Sequence, residues 1–422
     1  MAWFAKHHDP KAYLHTFAEW MLMGLMMGAM GGLLGTAFHY ILHFVTDVRA
    51  ENTWLVWLLP VGGVLIMWIY RSFGLKGNRG TNEIIDAILT NHGVSRRITP
   101  AIFLSTAVTH LFGGSAGREG AALQLGGSMA SLMARILKLS KPERTILMLS
   151  GMSAVFAGLF GTPLTAALFT MEFGSVGTMY TPALLPCFLS AFVASQVSAA
   201  LGVHAETHML GAFPMPDAAG WLGFIVFAFA LSMLGVIMCY AFHYAESYAH
   251  KLVHNRYIRI AVGGVMILAL TLLVGDHRYN GAGMDMALAA VTGQADWYDF
   301  ILKLLFTAVT LAAGFKGGEI VPTFCIGATF GCVVGGLLGM DPGFAAALGL
   351  IGLFCCATNS PIASIVLSIE MFGSANLPMF ALVCVITFVL SGHSGLYGSQ
   401  IIQFSKNSLP SAPLRRETTD KA

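Results

Sequence analysis

The chain has 422 residues, of which 56% are hydrophobic and 10% are charged, and its mean hydropathy is +0.72. Such a composition excludes a soluble globular protein, and a net charge of +2 gives no electrostatic basis for binding nucleic acid. The sequence therefore predicts an integral membrane protein with several spanning segments.

Six apolar segments have the composition of membrane-spanning helices, which need about 20 apolar residues each. In chain order they are residues 21–42, 54–70, 183–201, 221–244, 258–274 and the shorter 379–390. Residues 1–14 form a polar N-terminal segment. The first apolar segment is long and others follow it, so we expect no cleaved signal peptide. Residues 405–422 are a polar tail whose arginine and lysine residues predict a cytoplasmic C-terminus.

The chain also contains an internal repeat. Four matches recur in the same order at offsets of 198 to 204 residues: AFHY at 37 and 241, VGGV at 61 and 262, TAVT at 106 and 307, and TPLTAALFTMEF at 162 with SPIASIVLSIEMF at 360. The matches predict two homologous halves, residues 15–210 and 211–404. Duplicated halves are typical of transporters and channels, with the site between them near the middle of the membrane. An odd number of crossings per half would invert the second copy.

A glycine-rich turn precedes a helical segment in both halves, reading GREGA at 117–121 and GEIVP at 318–322. The pattern predicts two broken helices that restart inside the membrane, where irregular backbone must be buried or line a cavity. A helix N-terminus presents unpaired N–H groups and the positive end of the helix dipole, both of which attract anions. We expect the two N-termini to point at one anion site.

Glu119 stands at the start of the first restarting helix. A carboxylate there mimics an anion, and an ionisable group inside a membrane is functional by default. Our hypothesis is that ionised Glu119 blocks the anion path and protonated Glu119 opens it, which couples the anion to protons. A capping role is the alternative. We expect Arg118 to anchor the loop through hydrogen bonds rather than to contact the ion.

Three further patterns predict structural roles. Gly331, Gly335 and Gly339 have the spacing of a helix-packing face, and His110 is expected to be a hydrogen-bonded core residue. Residues 113–117 fit the hydrolase pattern G-x-S-x-G, but their membrane-like flanks do not fit the strand and sheet that this motif needs. We therefore predict no enzyme, no cofactor and no metal site. An intramembrane hydrolase using Ser115, and a transporter of organic substrates, are the alternatives.

These residues resemble the CLC family of chloride channels and anion/proton antiporters. The resemblance covers most of the chain and rests on GREG at 117–120, G-x-x-x-P at 318–322, the proline-to-acid segments ending at Glu172 and Glu370, and Tyr397 in GLYGSQ. It implies an all-α polytopic membrane fold, an inverted repeat of two homologous halves with broken, re-entrant helices. It also implies a homodimer with one pore in each subunit.

The resemblance implies a site as well. Glu119 would be the gate and the proton-coupling residue, and Glu172 is a candidate proton path, although a structural role shared with Glu370 is favoured. The anion would be bound by the backbone amides of Gly120, Ala121, Ala122, Glu319, Ile320 and Val321 and by the Tyr397 hydroxyl. The first-motif pore region would be Asn78, Arg79, Gly80, Thr81 and Asn82, which lacks the family's serine.

The departures from the family pattern resemble its bacterial fluoride-transporting branch, which also has GGSAGREG, GGE-x-x-P and no serine in the first motif. Ala121 and Val321 differ from the threonines common in that branch. We therefore predict a proton-coupled halide antiporter that exports fluoride across a bacterial inner membrane, with a halide and protons as its ligands and lipid around it. The alternatives are a chloride/proton antiporter and a passive voltage-gated-type chloride channel.

Overall fold

The computed structural model describes residues 10–75, 80–404 and 406. In this part of the chain, the first half contains eight α-helices: α1 Pro10–Glu51, α2 Leu59–Ser72, α3 Thr81–Leu89, α4 Ile98–Leu111, α5 Glu119–Ile136, α6 Lys141–Phe160, α7 Pro163–Glu172 and α8 Leu184–Ala200. The second half contains eight more: α9 Ala218–Leu252, α10 Arg256–Val274, α11 Met284–Val291, α12 Asp299–Ala313, α13 Ile320–Leu337, α14 Pro342–Thr358, α15 Pro361–Phe372 and α16 Leu377–Leu390. Two 3₁₀ helices, Thr53–Leu58 and Thr181–Ala183, and two short parallel strands, β1 Ser175–Val176 and β2 Ile401–Ile402, complete the elements.

The order of the helices repeats, so that each of α1 to α8 has a counterpart among α9 to α16. The predicted duplication is thus present in the helices. The boundaries given above for the two halves and for the terminal segments remain predictions.

Seven segments of the described residues are long and apolar enough to cross a membrane. They include five of the six predicted segments, while residues 379–390 belong to the 14-residue helix α16. The two that we did not predict are α6 and α13, which are 89% and 78% buried inside the protein, whereas α10 is only 28% buried. The apolar character of α6 and α13 therefore serves the protein core more than the contact with lipid.

Glycine pairs let the restarting helices α5 and α13 cross their neighbouring helices with the two backbones in direct contact. A Cβ atom added to Gly126 would lie 2.3 Å from the carbonyl oxygen of Gly151, and one added to Gly327 would lie 2.4 Å from that of Gly349. These repeat-related contacts join α5 to α6 and α13 to α14. No side chain fits between the backbones, so glycine is required there.

The predicted glycine face of α13 is correct for two of its three members. Added Cβ atoms at Gly331 and Gly335 would lie 2.3 Å from the Ala345 oxygen and 2.1 Å from the Ala345 Cβ. The prediction is wrong for Gly339, because this residue follows the end of the helix with a φ of +77° and has open space around its Cα. It ends the helix in the left-handed conformation that glycine adopts readily.

Two glutamates tie the halves together by exchanging helix caps. The Glu370 carboxylate accepts the N–H groups of Leu164 (2.9 Å) and Thr165 (2.8 Å) at the start of α7. The Glu172 carboxylate accepts those of Ile362 (3.2 Å) and Ala363 (2.9 Å) at the start of α15. Because the end of each helix reaches the start of the other, α7 and α15 run antiparallel, as an inverted repeat requires.

We expect the Glu370→Ala substitution to destabilise the fold without changing its architecture. It leaves two N–H groups at the start of α7 without their acceptor, and the loss of a helix-capping side chain costs about 1–2 kcal/mol. A lower midpoint of thermal unfolding in detergent micelles would measure this loss. Glu51→Ala, at an exposed position, is the control. Equal midpoints for the two variants would contradict the capping role.

Candidate anion site at two helix N-termini

The helices α5 and α13 begin side by side. Gly117 and Gly318, which precede them, form a two-residue antiparallel bridge in which each N–H donates to the other's carbonyl oxygen, at 2.7 and 2.8 Å. The approach is so close that a Cβ atom on Gly318 would lie 2.5 Å from the Gly120 nitrogen. The two glycine turns therefore hold the two helix N-termini at a single point, as the sequence predicted.

The Glu119 side chain is fully buried at this point. Its Oε2 atom accepts the N–H of Val321, in the first turn of α13, at 3.1 Å and that of Arg118 at 3.1 Å. Its Oε1 atom is buried and has no hydrogen-bond partner among the described residues. A carboxylate from α5 thus lies on the N-terminus of α13, where the helix dipole favours a negative charge.

The backbone N–H groups that can serve as anion donors beside Glu119 are those that precede the first intrahelical hydrogen bond of each helix. The N–H groups of Gly120 and Ala121 precede the bond that Ala122 donates to the Arg118 oxygen at 2.9 Å. The predicted role of Ala122 in binding the anion needs correction, because its N–H is already used inside the helix. In α13, the N–H groups of Ile320 and Val321 come before the first such bond, which Thr323 donates to the Glu319 oxygen at 3.0 Å.

Two polar side chains reach the site from its other side. The Tyr397 hydroxyl and the Glu319 Oε2 atom are both buried, and neither has a hydrogen-bond partner among the described residues. Tyr397 and Glu319 line the same cavity, which has a volume of about 570 Å³. The sequence predicted that Glu319 contributes its backbone N–H, but it did not predict that the side chain would face this cavity.

The first-motif region contributes through its described residues, while Asn78 and Arg79 lie outside them. Gly80 has a φ of +65° and precedes α3, and Thr81 is buried with its Oγ1 atom 3.0 Å from where a Gly120 Cβ atom would lie. The Asn82 side chain accepts the N–H of Ser399 at 3.0 Å, near Tyr397. A threonine hydroxyl therefore lies beside the site in this region that lacks the family's serine.

The loop that carries Tyr397 is held by the Gln400 side chain, which donates to backbone carbonyl oxygens of both halves. The Gln400 side-chain amide donates to the carbonyl oxygens of Phe173 at 2.6 Å and Thr358 at 2.8 Å. Strand β2 follows directly and pairs with β1 of the first half. These bonds hold the loop that carries Tyr397 between the two halves.

Arg118 faces away from the two helix N-termini. Its guanidinium forms an ion pair with Glu206 and lies 4.9 Å from the centre of the Phe160 ring. These contacts anchor the loop before α5, which is the role that the sequence predicted for Arg118. His110 is buried and its carbonyl oxygen accepts a hydrogen bond from Arg49 at 2.8 Å, which is consistent with a core residue.

Ser115 is bound to a lysine that the sequence analysis missed. The Ser115 hydroxyl lies 3.0 Å from the Lys303 Nζ atom and 3.0 Å from the Thr307 hydroxyl. Lys303 is fully buried and also donates to the carbonyl oxygens of Gly281 at 2.7 Å and Tyr279 at 3.2 Å. A lysine inside the apolar segment of residues 300–313 was the available signal, because such a charge needs several acceptors when buried.

Comparison with known proteins identifies the family that has this arrangement. The model of the voltage gated chloride channel family matches residues 62–392. The chain belongs to this family. A chloride/fluoride channel protein of Pseudomonas syringae pv. tomato is 32% identical over 400 residues, which cover 93% of this chain and 88% of that protein. An H(+)/Cl(-) exchange transporter, ClcA, of Vibrio parahaemolyticus is 24% identical and covers 95% of this chain, with 94% of its own length matched.

Solved structures of CLC proteins share the fold. A CLC-type fluoride/proton antiporter superposes with a TM-score of 0.87 at 32% identity, covering 91% of this chain and 98% of that chain. A slow cyanobacterial Cl-/H+ antiporter superposes with a TM-score of 0.75 at 18% identity, covering 88% and 94%, and this similarity concerns the fold alone. The predicted fold class, an all-α polytopic membrane protein of the CLC type, is thus confirmed, and the protein is a CLC-type anion transporter.

Proposed function

We propose that this CLC protein exchanges fluoride for protons across the membrane. The observation that carries the proposal is the position of the Glu119 carboxylate, which accepts the Val321 N–H at the start of α13. An anion bound to the same helix N-terminus competes with that carboxylate for one set of donors. Protonation removes the charge of Glu119, so the uptake of a proton by Glu119 also makes the N–H groups accessible to the anion.

In this mechanism the anion binds to the N–H groups that precede the first intrahelical bonds, those of Gly120, Ala121, Ile320 and Val321. Tyr397 and Thr81 line the same cavity, and their hydroxyl groups are the further donors that we assign to the anion. Ionised Glu119 repels the anion, because two negative charges at one position destabilise each other. Glu319, on the cavity side, is the second carboxylate that a proton leaving Glu119 reaches.

Fluoride is favoured over chloride by the relatives at 32% identity, which are a chloride/fluoride channel protein and a fluoride/proton antiporter. Dehydrating a small ion in a low-dielectric site carries an idealised cost of order 20 kcal/mol, and this cost rises as the ion becomes smaller. Backbone donors and two hydroxyl groups offset such a cost. Chloride/proton exchange is the second candidate function, supported by the H(+)/Cl(-) exchange transporters at 23–25% identity.

Ion flux from proteoliposomes tests the proposal. With the same pH inside and outside at the start, we expect an outward fluoride gradient to drive protons into the vesicles. We expect an equal chloride gradient to drive fewer protons. A fluoride electrode and an external pH electrode record the two fluxes together, and protein-free vesicles give the leak. Fluoride release without proton uptake would identify a passive channel, and equal coupled fluxes with both anions would contradict the preference for fluoride.

The resemblance also implies a homodimer in a bacterial inner membrane, and both remain part of this proposal. We also propose that the cavity beside Glu319 and Tyr397 opens to the cytoplasmic side, which is the side predicted for the C-terminus. Glu172 stays an untested candidate for the proton path, and both of its carboxylate oxygens accept backbone N–H groups. The mass of the purified protein in detergent, measured by light scattering, tests the dimer.

A further inference from the structure

The cavity that reaches the anion site is lined by more titratable groups than the exchange mechanism uses. From Glu319 and Tyr397 it extends to the junction between α9 and α10, where His254 and Arg256 are exposed. Its volume is about 570 Å³, which is large enough to hold several waters. The cavity therefore connects the candidate site with the exposed junction between α9 and α10.

One wall of this cavity carries an acid and two histidines at regular spacing. Glu246 and His250 are one turn apart on α9 and so share a helix face, and His254 follows just after the helix ends. All three side chains line the cavity, as does His243, whose Nε2 atom lies 3.0 Å from the Leu396 oxygen. The wall thus leads from the membrane face to the region of Tyr397.

The positive charges that line the cavity attract anions. Lys316, Arg256 and Arg259 line it, and the Lys316 ammonium lies 5.0 Å from the centre of the Tyr70 ring. Such a concentration of cations raises the local concentration of fluoride. The same field repels hydronium, so a cavity suited to fluoride is a poor path for free protons.

We propose that Glu246 and His250 form a proton relay between Glu319 and the cytoplasmic face, beside the path that the cations provide for fluoride. During fluoride export, the Glu319 carboxyl gives its proton to the Glu246 carboxylate. Glu246 passes it to the neutral imidazole of His250, and His250 releases it to water at the mouth. Each step moves one proton between lone pairs on oxygen or nitrogen, so no redox partner is needed.

The inference rests on the proposed exchange of fluoride for protons, and it assigns to this exchange two proton-carrying side chains in the same cavity as the cations. A proton carried on a carboxyl group or an imidazole is held by a covalent bond at each step, whereas free hydronium is not. Histidine suits the outer position because one ring nitrogen of a neutral imidazole accepts a proton that the ring can then release to water. The charged or titratable groups around the relay are Glu83, Glu319, Lys316, Arg256, Arg259, His243 and His254.

Flux measurements on reconstituted variants test the relay. In the assay described above, we expect Glu246→Gln and His250→Gln to slow fluoride-driven proton flux about tenfold, a modest share of what proton transfer by a positioned side chain contributes. Imidazole added at equal high concentration to both compartments is expected to restore the rate of the variants and to leave the wild-type rate unchanged, with the fluoride electrode as the readout because imidazole buffers the external pH. His43→Gln, an exposed histidine on α1 outside the cavity lining, is the matched control.

Rescue by imidazole distinguishes a relay from a structural role, because a small base replaces a missing proton carrier but does not repair a distorted fold. Wild-type proton flux in both variants would overturn the relay, and so would slow flux that imidazole does not restore. If Glu246→Gln does not reconstitute, His250→Gln applies the same criteria, and Glu246→Asp, which keeps the carboxylate, is expected to retain proton flux. Fluoride release without protons in the wild-type protein would instead overturn the proposed exchange.

Discussion

Proton flux driven by fluoride is expected to fall by about a hundredfold or more in the Glu119→Gln variant, which is the range for loss of a proton-transferring side chain. Glutamine has the shape of glutamate, but it takes up no proton at neutral pH and carries no charge to compete with fluoride. The Val321 N–H keeps an acceptor in the amide oxygen. The fold is therefore retained while the link between anion and proton is lost.

Parallel recording of fluoride and proton flux from proteoliposomes checks this result. Residual fluoride flux that no longer moves protons is the expected signature. Glu172→Gln is the comparison, because Glu172 is also a buried glutamate that accepts backbone N–H groups from the other half but lies outside the anion site. Normal coupling in Glu119→Gln would remove Glu119 from the gate, and lost coupling in Glu172→Gln would support its role in the proton path.

The two converging helix N-termini of the candidate anion site were predictable because their elements are local and occur twice. The glycines that precede α5 and α13 are visible in the sequence, and the offset of 201 residues relates the two turns. Helix N-termini carry the same donors whatever their side chains are. The sequence therefore predicted the backbone part of the site, apart from Ala122, whose N–H belongs to the first intrahelical bond.

The polar contacts that join distant segments were not predictable from a pattern. Lys303 and Ser115 are 188 residues apart, and nothing in either segment indicates that the other lies nearby. The wall formed by Glu246 and His250 was missed for a similar reason. On α9 the two residues look like the polar end of a membrane-spanning helix, and only the packing of α9 against α13 and the Tyr397 loop makes them line a cavity.

The repeat also shows how two halves with a similar backbone place different charged side chains beside the candidate site. The offset of 201 residues relates Arg118 to Glu319, and an inverted repeat exchanges the two faces of the membrane. Arg118 forms its ion pair with Glu206 on one side of the site, while Glu319 lines the cavity on the other. Glu119, one residue later, is related to Ile320 and so has no counterpart. A symmetric pair of helix N-termini thus receives the carboxylate that we propose as the gate from one half only.

Gly318→Ala is expected to slow fluoride exchange strongly by moving the two helix N-termini apart. The added Cβ atom would lie 2.5 Å from the Gly120 nitrogen, 3.0 Å from the Glu119 nitrogen and 3.1 Å from the Glu119 Oε2 atom. Neither α5 nor the Gly117 turn can yield without weakening the bridge of 2.7 and 2.8 Å bonds. A displacement near 1 Å at a reacting site costs about a hundredfold in rate, so we expect a loss of that size.

Gly211→Ala is the matched control, because Gly211 is exposed and its Cβ atom would meet nothing within 4 Å. Fluoride flux from proteoliposomes measures the effect, and the size-exclusion profile in detergent reports whether each variant is folded. The two substitutions add the same methyl group, so a difference between them depends on the space around each residue. Wild-type exchange in Gly318→Ala would mean that the backbone contact between the two glycine turns is not needed, and the model of two converging helix N-termini would then be wrong.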